Sequence, residues 1–218
     1  MNGSTDKGAR VYTPVTLKLY DWWVLSVSNQ FAWKCPTEEH LVPHFLRNLS
    51  KKHMDIGVGT GFYLTHAPED CTISLMDLNK TSLDTASARA GDARIDRRIN
   101  HDVFAPYDAS CHNQFDSVSM FYLLHCLPGT MSDKGIVIQN AAHALTDNGV
   151  LYGASILGDG VEHNAFGRKL MGIYNRKGIF SNSNDSEAGL REILSAHFAD
   201  VSISVEGTVA LFSAARKK

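Results

Sequence analysis

An acid followed by three alternate glycines is the stretch of this sequence best suited to hold a ligand. Asp55 ends a short apolar run and is followed by Gly57, Gly59 and Gly61. Alternate glycines let the backbone adopt positive φ and let a ligand approach the main chain closely. A pyrophosphate-binding turn needs the spacing G-x-G-x-x-G, whereas this stretch has G-x-G-x-G, which favours a ligand without phosphate and disfavours a nicotinamide oxidoreductase. A tight turn between a strand and a helix is the alternative interpretation.

A second acid lies where a ribose would be held in a fold of this kind. Residues 71–77 form another apolar run, which ends in Asp77. In a doubly wound α/β fold, a carboxylate at about this distance accepts hydrogen bonds from both ribose hydroxyls. Two hydrogen bonds to one charged carboxylate make a strong contact that depends on geometry. Asp55 and Asp77 together therefore favour a cofactor site over a plain turn.

The stretch from Asp55 to Gly61 resembles the first motif of the class I S-adenosylmethionine (SAM)-dependent methyltransferases. That motif reads D/E-x-G-x-G-x-G, and the sequence matches it at every fixed position. The resemblance implies SAM as the cofactor and S-adenosylhomocysteine (SAH) as the product. It also implies that Asp102 accepts a hydrogen bond from the adenine amino group and that the backbone N–H of Val103 meets a ring nitrogen, although an ordinary turn aspartate would give the same local pattern. We expect three further cofactor contacts, from Tyr20, Leu78 and Phe121.

The fourth apolar run leads to the candidate catalytic residues. Residues 115–128 resemble the family's F-D-x-V strand and its L-H-x-L loop, and they lack the N-P-P-Y or D-P-P-Y tetrapeptide of many enzymes that methylate amino groups of bases. Nucleic-acid bases are therefore disfavoured as acceptors. His125 lies where cofactor and substrate should meet, and histidine titrates near neutral pH, so we expect it to act as a general base. His163 is the second candidate and Tyr122 could orient the acceptor; in the alternative, His125 only hydrogen-bonds a loop carbonyl.

Two aromatic stretches are candidates for the acceptor pocket. Residues 12–35 contain all three tryptophans and need an apolar surface to lie on, which is either the core or the mouth of the site. Residues 158–185 mix aromatic and amide side chains and are not required by the fold. In the family that the sequence resembles, an N-terminal helix closes over SAM and an insertion at this point forms the acceptor pocket. The candidate substrate-binding residues are Trp33, Tyr174, Asn175 and Phe180. Core packing for the first stretch and a plain surface helix for the second are the alternatives.

The order of apolar runs and helical segments predicts an α/β fold. Strands are expected to end at 55–57 and to span 72–76, about 94–99 and 150–156, with a fourth strand within 115–128 and helices at 81–90 and 132–145. This alternation indicates a parallel sheet with right-handed crossovers, and two β runs joined at Glu206 and Gly207 predict a hairpin. The resemblance implies a Rossmann-like, doubly wound sheet of seven strands with a C-terminal antiparallel hairpin and helices on both faces. We place a helical cap at 1–50 and the SAM-binding domain at 51–218.

The composition of the chain limits the classes of partner that it could bind. Among 218 residues, 21 Lys and Arg balance 23 Asp and Glu, so the charge pattern is not that of a nucleic-acid-binding protein. The four cysteines are far apart and form no C-x-x-C pair, which predicts neither a zinc site nor a disulfide framework and favours a reducing compartment. No apolar stretch is long enough to span a bilayer. We therefore expect a cytoplasmic protein with a small-molecule partner, no metal and no membrane contact, for which a homodimer remains open.

Three functions are open on this basis. The first is methyl transfer from SAM to an O, N or C atom of a small, partly aromatic or apolar metabolite in secondary-metabolite biosynthesis. The second is an enzyme of the same fold that binds SAM but catalyses another reaction, such as a cyclisation. The third is a non-catalytic SAM-binding module. Such a module would lose the cofactor acids, whereas Asp55, Asp77 and Asp102 are all present.

Overall fold

The apolar runs beyond residue 51 form the strands of one mixed sheet. The computed structural model describes the backbone of residues 22–218 and the side chains of residues 25–218. Within this range the strands are β1 (Lys52–Ile56), β2 (Thr72–Asp77), β3 (Ile95–Asn100), β4 (Phe115–Phe121), β5 (Leu145–Ile156), β6 (Phe198–Glu206) and β7 (Val209–Lys217). They lie in the order β3-β2-β1-β4-β5-β7-β6, with β1 to β5 parallel and β7 antiparallel between β5 and β6. The predicted seven-stranded sheet with its C-terminal hairpin is confirmed.

Helices cover both faces of the sheet, as predicted. The α-helices of the described range are α1 (Val42–Asn48), α2 (Lys80–Ala90), α3 (Gly135–Ala144), α4 (Ala165–Arg176) and α5 (Glu187–Ser195). Two π-helices, Trp22–Trp33 and Thr37–Leu41, precede α1, and short 3₁₀ turns span Tyr63–His66, Asp92–Arg94, Ala109–Cys111 and Leu124–Cys126. One apolar cluster joins the sheet to α3 and α5, and a second joins its other face to α1 and α2. Among the described helices, none combines the length and apolarity needed to cross a bilayer.

The side chains of the central strands alternate between these two clusters. Met54 and Ile56 of β1 belong to the cluster under α3 and α5. His53 and Asp55 therefore point to the opposite face, which α1 covers. That face of the neighbouring strands also carries polar side chains, which are Ser117, Ser119 and Tyr152. A narrow polar row is thus enclosed between the centre of the sheet and α1.

The described part of the predicted N-terminal cap contributes to the core of the sheet domain. Trp33, Leu41 and Phe45 belong to the second apolar cluster together with residues of β2 and β5. The carbonyl of Trp33 accepts a hydrogen bond from the amide of Thr208, in the turn of the C-terminal hairpin, over 2.9 Å. Residues 25–50 therefore share a core with the sheet, and a domain boundary at residue 50 stays a prediction. Residues 1–21, which include Tyr20, lie outside the described residues.

Strand β5 begins earlier than the sequence predicts. It starts at Leu145, which pairs with Phe115, but the register shifts before Ser117 pairs with Val150. The predicted turn at 147–149 therefore lies within this irregular part of the strand, and the regular pairing covers the predicted strand at 150–156.

Helix α3 begins later than predicted, at Gly135 instead of Ser132. The carboxylate of Asp133 accepts hydrogen bonds from the amide and the hydroxyl of Thr130, over 2.8 and 2.7 Å. These bonds form a local turn of the kind that competes with a helix start.

A buried ion pair fastens the segment 158–185 to the rest of the fold. The side chain of Lys134 is 0% exposed, and its Nζ donates to Asp185 Oδ2 over 2.6 Å and to the carbonyl of Ser181 over 2.9 Å. The backbone carbonyl of Asp185 accepts a hydrogen bond from the amide of Gly158 over 2.9 Å. Burial raises the pKa of Asp185, and the ammonium of Lys134 acts in the opposite direction. The two ends of the segment are thereby held together and tied to the start of α3.

Lys134→Met is expected to lower the free energy of unfolding by about 3–5 kcal/mol, because it leaves the Asp185 carboxylate buried without its cation. Urea denaturation measures this loss. The double variant Lys134→Met/Asp185→Leu should recover most of the stability, since it leaves no buried charge. Arg191→Met is the control, because it removes only the exposed pair with Glu187 and should cost about 0.3–0.5 kcal/mol. An equal loss in the two single variants would contradict the role of the buried pair.

Candidate active site

The acids singled out in the sequence lie along one edge of the sheet. Asp55 is near the carboxyl end of β1, Asp77 ends β2, and Asp102 follows β3 by two residues. Because β1, β2 and β3 are adjacent and parallel, these ends meet at the same edge. Ligands of open α/β sheets bind at this edge. The structure therefore brings the three predicted cofactor acids together.

The glycine turn beyond β1 has the conformation that a close ligand approach requires. Gly57, Gly59 and Gly61 have φ of 73°, 53° and 71°, a region that other residues rarely adopt. A Cβ at Gly61 would lie 2.7 Å from Cα of Ala86, and one at Gly57 would lie 2.9 Å from Leu123, so these two glycines allow close packing. A Cβ at Gly59 would meet nothing within 4 Å. Gly59 thus faces open space and leaves the main chain accessible to a ligand.

Asp77 lies against the glycine turn. Its Oδ1 accepts a hydrogen bond from the amide of Asn79 over 2.8 Å. Burial raises the pKa of Asp77, while the amides of Asn79, Gly59 and Val58 act in the opposite direction. Leu78, which follows directly, is 40% exposed and leaves an apolar surface beside the acid. A polar carboxylate next to an exposed apolar side chain is suited to a ribose and its attached base.

The loop beyond β3 is held by a residue that the sequence analysis missed. Asn140 of α3 donates from Nδ2 to the carbonyls of Val103 and Ala105, both over 3.0 Å. The carboxylate of Asp102 accepts a hydrogen bond from the amide of Phe104 over 3.0 Å. These bonds fix the position of the predicted adenine-binding pair. An amide on the buried face of an otherwise apolar helix was the signal that could have identified Asn140.

Tyr122, directly after β4, has an unusual backbone conformation. Its φ is 59°, which is uncommon for a residue with a side chain and is concentrated at functional sites. Its hydroxyl donates to Oδ1 of Asn29 in the π-helix Trp22–Trp33 over 2.8 Å. Phe121, predicted to contact the cofactor, is 7% exposed and packs against the ring of Tyr63 at 4.4 Å. Tyr122 is therefore tied to the N-terminal segment, and Phe121 lies mainly in the core.

The surroundings of His125 do not favour the predicted role of a general base, which stays a prediction. His125 is 2% exposed, and its Nδ1 accepts a hydrogen bond from the amide of Ile156 over 3.2 Å. In a neutral imidazole whose Nδ1 is an acceptor, Nε2 carries the proton, so the ring can donate there but offers no free lone pair. Burial, together with the charge of Lys134, lowers the pKa of His125 to about 3. The bonded partner is also a strand amide, not the loop carbonyl of the alternative interpretation.

His163, the second candidate base, lies beside the N-terminal segment. Its Nε2 donates to the carbonyl of Leu157 over 2.9 Å, which leaves the lone pair on Nδ1. This Nδ1 is buried without a hydrogen-bond partner among the described residues, close to Gly167 of α4. Burial lowers the pKa of His163, so the ring is neutral at physiological pH. A base role for His163 stays a prediction.

The candidate substrate residues divide into two groups. Trp33 and Phe180 are 1% and 8% exposed and pack against each other at 6.1 Å, and Phe180 also contacts the rings of His125 and Tyr174. Asn175, in contrast, borders a cavity of about 740 Å³ between α4 and the loop that follows β5. The cavity is also lined by Val161, Glu162, His163, Met171 and Ser183. Core packing thus accounts for Trp33, whereas Asn175 and His163 lie where an acceptor could bind.

The sequence and the fold both match known proteins. A methyltransferase domain family matches residues 54–151. The chain is 41% identical over 218 residues to the physcion biosynthesis cluster O-methyltransferase of Aspergillus chevalieri, covering 98% of this chain and 97% of that protein. It is 66% identical over 194 residues to the uncharacterized protein YbcY of Escherichia coli (strain K12), covering 89% of this chain and 100% of that protein. Its fold matches the N-methyltransferase NodS of Bradyrhizobium japonicum WM9, solved with S-adenosyl-L-homocysteine, with a TM-score of 0.62 at 18% identity over 92% of this chain and 96% of that one.

Asp77→Ala should weaken SAH binding more than about tenfold, because each hydrogen bond to a charged group contributes about 1.5–3 kcal/mol. Isothermal titration calorimetry measures the affinity, and circular dichroism verifies that the variant is folded. Unchanged affinity in the folded variant would show that Asp77 does not hold the cofactor.

Gly59→Ala should also lose SAH affinity by more than about tenfold, since a methyl group would fill the space through which the ligand reaches the main chain. Gly178→Ala is a matched control, because Gly178 has a similar φ of 67° and equally open surroundings but lies beyond α4. Both variants should lose about 1–2 kcal/mol of stability from the left-handed backbone. Equal SAH affinity in the two variants would exclude a ligand contact at Gly59.

Proposed function

Because the chain belongs to the class I SAM-dependent methyltransferases, we propose that it methylates an oxygen atom of a small, partly aromatic metabolite in secondary metabolism. The observation that carries this proposal is the 41% identity, over nearly the full length of both proteins, to an O-methyltransferase of the physcion biosynthesis cluster. The cofactor edge keeps its glycine turn and all three acids. This favours an enzyme over a non-catalytic SAM-binding module. A phenol is the acceptor class that combines an apolar ring with a hydroxyl group.

The cavity beside α4 is the proposed acceptor site. Val161 and Met171 give it apolar walls, Asn175 and Ser183 add neutral polar groups, and Glu162 and Arg168 place charged side chains in its lining. The Asn175 amide is held in place, because its Nδ2 donates to the carbonyl of Met171 and to Oδ1 of Asn182, both over 3.0 Å, and its Oδ1 accepts from the amide of Asn182 over 3.2 Å. One lone pair on Oδ1 is left for an acceptor hydroxyl. A partly apolar acceptor with one or a few hydroxyl groups suits this lining.

Positioning is the main contribution that we assign to the protein. Bound SAM supplies a methyl group that is already activated on a sulfonium sulfur. Holding an acceptor in line with such a group can lower the barrier by about 7–11 kcal/mol without further chemistry. Beyond the carboxyl end of β4, His125 packs against the rings of Tyr122 and of Phe180, which belongs to the segment that borders the cavity. Since His125 is 2% exposed and does not line the cavity, we assign it the structural role of holding the end of β4 against Phe180, not that of a base.

Labelled SAM tests the reaction class. The purified protein is incubated with SAM carrying an isotopic methyl group and with matched phenols and aryl amines, and the products are identified by mass spectrometry. A labelled methyl ether formed together with SAH supports the proposal, whereas labelled N-methyl products from the amines alone would overturn the oxygen acceptor. Tight SAH binding with no labelled product from any acceptor would favour a SAM-binding enzyme of another reaction type.

The pH dependence of turnover should follow the acceptor. If the phenol reacts as its phenolate without a protein base, kcat at saturating SAM rises with pH and its midpoint moves with the pKa of each phenol in a series. His125 itself should cause no inflection between about pH 5 and pH 9, because its pKa of about 3 keeps it neutral there. Stopped assays over this range measure the midpoints. One fixed midpoint near about pH 6.5 for every phenol would instead identify a histidine base.

A further inference from the structure

A chain of hydrogen bonds runs beneath the centre of the sheet from Ser50 to Asp55. The amide of Ser50 donates to the hydroxyl of Ser117 over 2.9 Å, and Ser117 Oγ lies 2.9 Å from Nδ1 of His53. On the other side of the ring, Nε2 of His53 lies 3.1 Å from Ser119 Oγ, whose hydroxyl donates to Asp55 Oδ1. His53, Ser117 and Ser119 are all 0% exposed. Water therefore does not compete for these bonds.

The first donor fixes the direction of the chain. A backbone amide can only donate, so Ser117 accepts from Ser50 and has its own proton to give to Nδ1 of His53. A neutral ring that accepts at Nδ1 carries its proton on Nε2 and donates it to Ser119, which donates in turn to Asp55. In the opposite direction, Asp55 would be protonated and the hydroxyl proton of Ser117 would need another acceptor. The complete set of bonds thus fits an ionised Asp55.

The surroundings of Asp55 show why such a chain matters. Burial raises the pKa of Asp55 to about 7, the charge of Asp77 acts in the same direction, and the hydroxyl of Ser119 opposes both. From β5, Tyr152 has a pKa raised by burial and by the charge of Asp55, so it is neutral. Burial lowers the pKa of His53 to about 3 and lowers that of His44, which packs on Tyr152 from α1. None of these described neighbours carries a positive charge at neutral pH, which leaves hydrogen-bond donors to stabilise the carboxylate.

We propose that the chain from Ser50 through Ser117, His53 and Ser119 keeps Asp55 ionised and thereby sets the affinity of the edge for SAM, whose sulfonium and amino groups are cationic. His53, Ser117 and Ser119 are positioning residues, since they act through Asp55. The inference rests on the cofactor and not on the acceptor, so a failed search for an acceptor leaves it unaffected.

The tautomer of His53 tests the direction of the chain in the unmodified protein. Long-range proton–nitrogen NMR spectra of the ring distinguish a proton on Nε2 from one on Nδ1. We expect a neutral ring with its proton on Nε2 from about pH 8 to pH 9, above the pKa of about 7 of Asp55, where this acid is ionised. A proton on Nδ1 in this pH range would mean that the hydrogen bonds run in the opposite direction, and this would overturn the proposal.

The pH dependence of SAM binding tests the consequence. Calorimetry without an acceptor should show affinity falling as pH drops through the pKa of Asp55, because the protonated acid no longer attracts a cation. In Ser119→Ala this fall should begin about one to two pH units higher, since a hydrogen bond to a charged group is lost, with affinity near about pH 9 reduced less than about threefold. Ser155→Ala is the matched control, because Ser155 is 0% exposed on β5 and outside the chain, and it should keep the original profile.

If Ser119→Ala lowers the SAM affinity by the same factor at every pH, the proposal is overturned and Ser119 contributes only to packing. An identical shift in Ser155→Ala would also overturn it, since the shift would then follow from any buried hydroxyl. Absence of SAM binding to the unmodified protein at all pH values would refute the cofactor role of Asp55 and this inference with it.

Discussion

A carboxylate buried at the carboxyl end of the central strand is the constraint on which the cofactor edge depends. Asp55 is 7% exposed and lies between β2 and β4 in the middle of the sheet. Burying a charge without partners costs far more than one folded domain can offset, so the neighbouring strand must supply donors. This accounts for the two serines on one face of β4, whose other face is apolar. It also accounts for a neutral histidine in β1, where an aliphatic residue would otherwise pack.

The features that could be predicted from the sequence are local ones. Gly57 to Gly61 specify a turn because each of the three glycines has the positive φ that its own position requires. Asp77 could be predicted because it ends an apolar run of recognisable strand length. The parallel sheet and the hairpin followed from the same runs together with the handedness of crossovers. Such signals span only a few residues or follow from general rules of topology. They can therefore be recognised without knowledge of three-dimensional contacts.

The features that could not be predicted depend on contacts between distant parts of the chain. The tautomer of His125 is set by the amide of Ile156, and its neutrality by burial and by Lys134. A sequence shows that a histidine follows a strand but not which of its nitrogens is occupied. The alternating serines of β4 do indicate one polar face. That this face meets His53 depends on the pairing of β1 with β4, which has no local signal.

The segment 158–185 contacts the residues that follow β4 and also borders the cavity beside α4. Its amide at Ser181 donates to the carbonyl of His125 over 2.8 Å, while its Phe180 ring packs on the His125 ring at 4.5 Å. Lys134 holds the same stretch through the carbonyl of Ser181. Changes within 180–185 would therefore displace the end of β4 as well as the cavity wall. Changes at Gly172, on the cavity side of α4 where an added Cβ would meet nothing within 4 Å, would reshape the cavity alone. With the cavity as the proposed acceptor site, acceptor specificity can diverge on α4 while the cofactor edge stays constant.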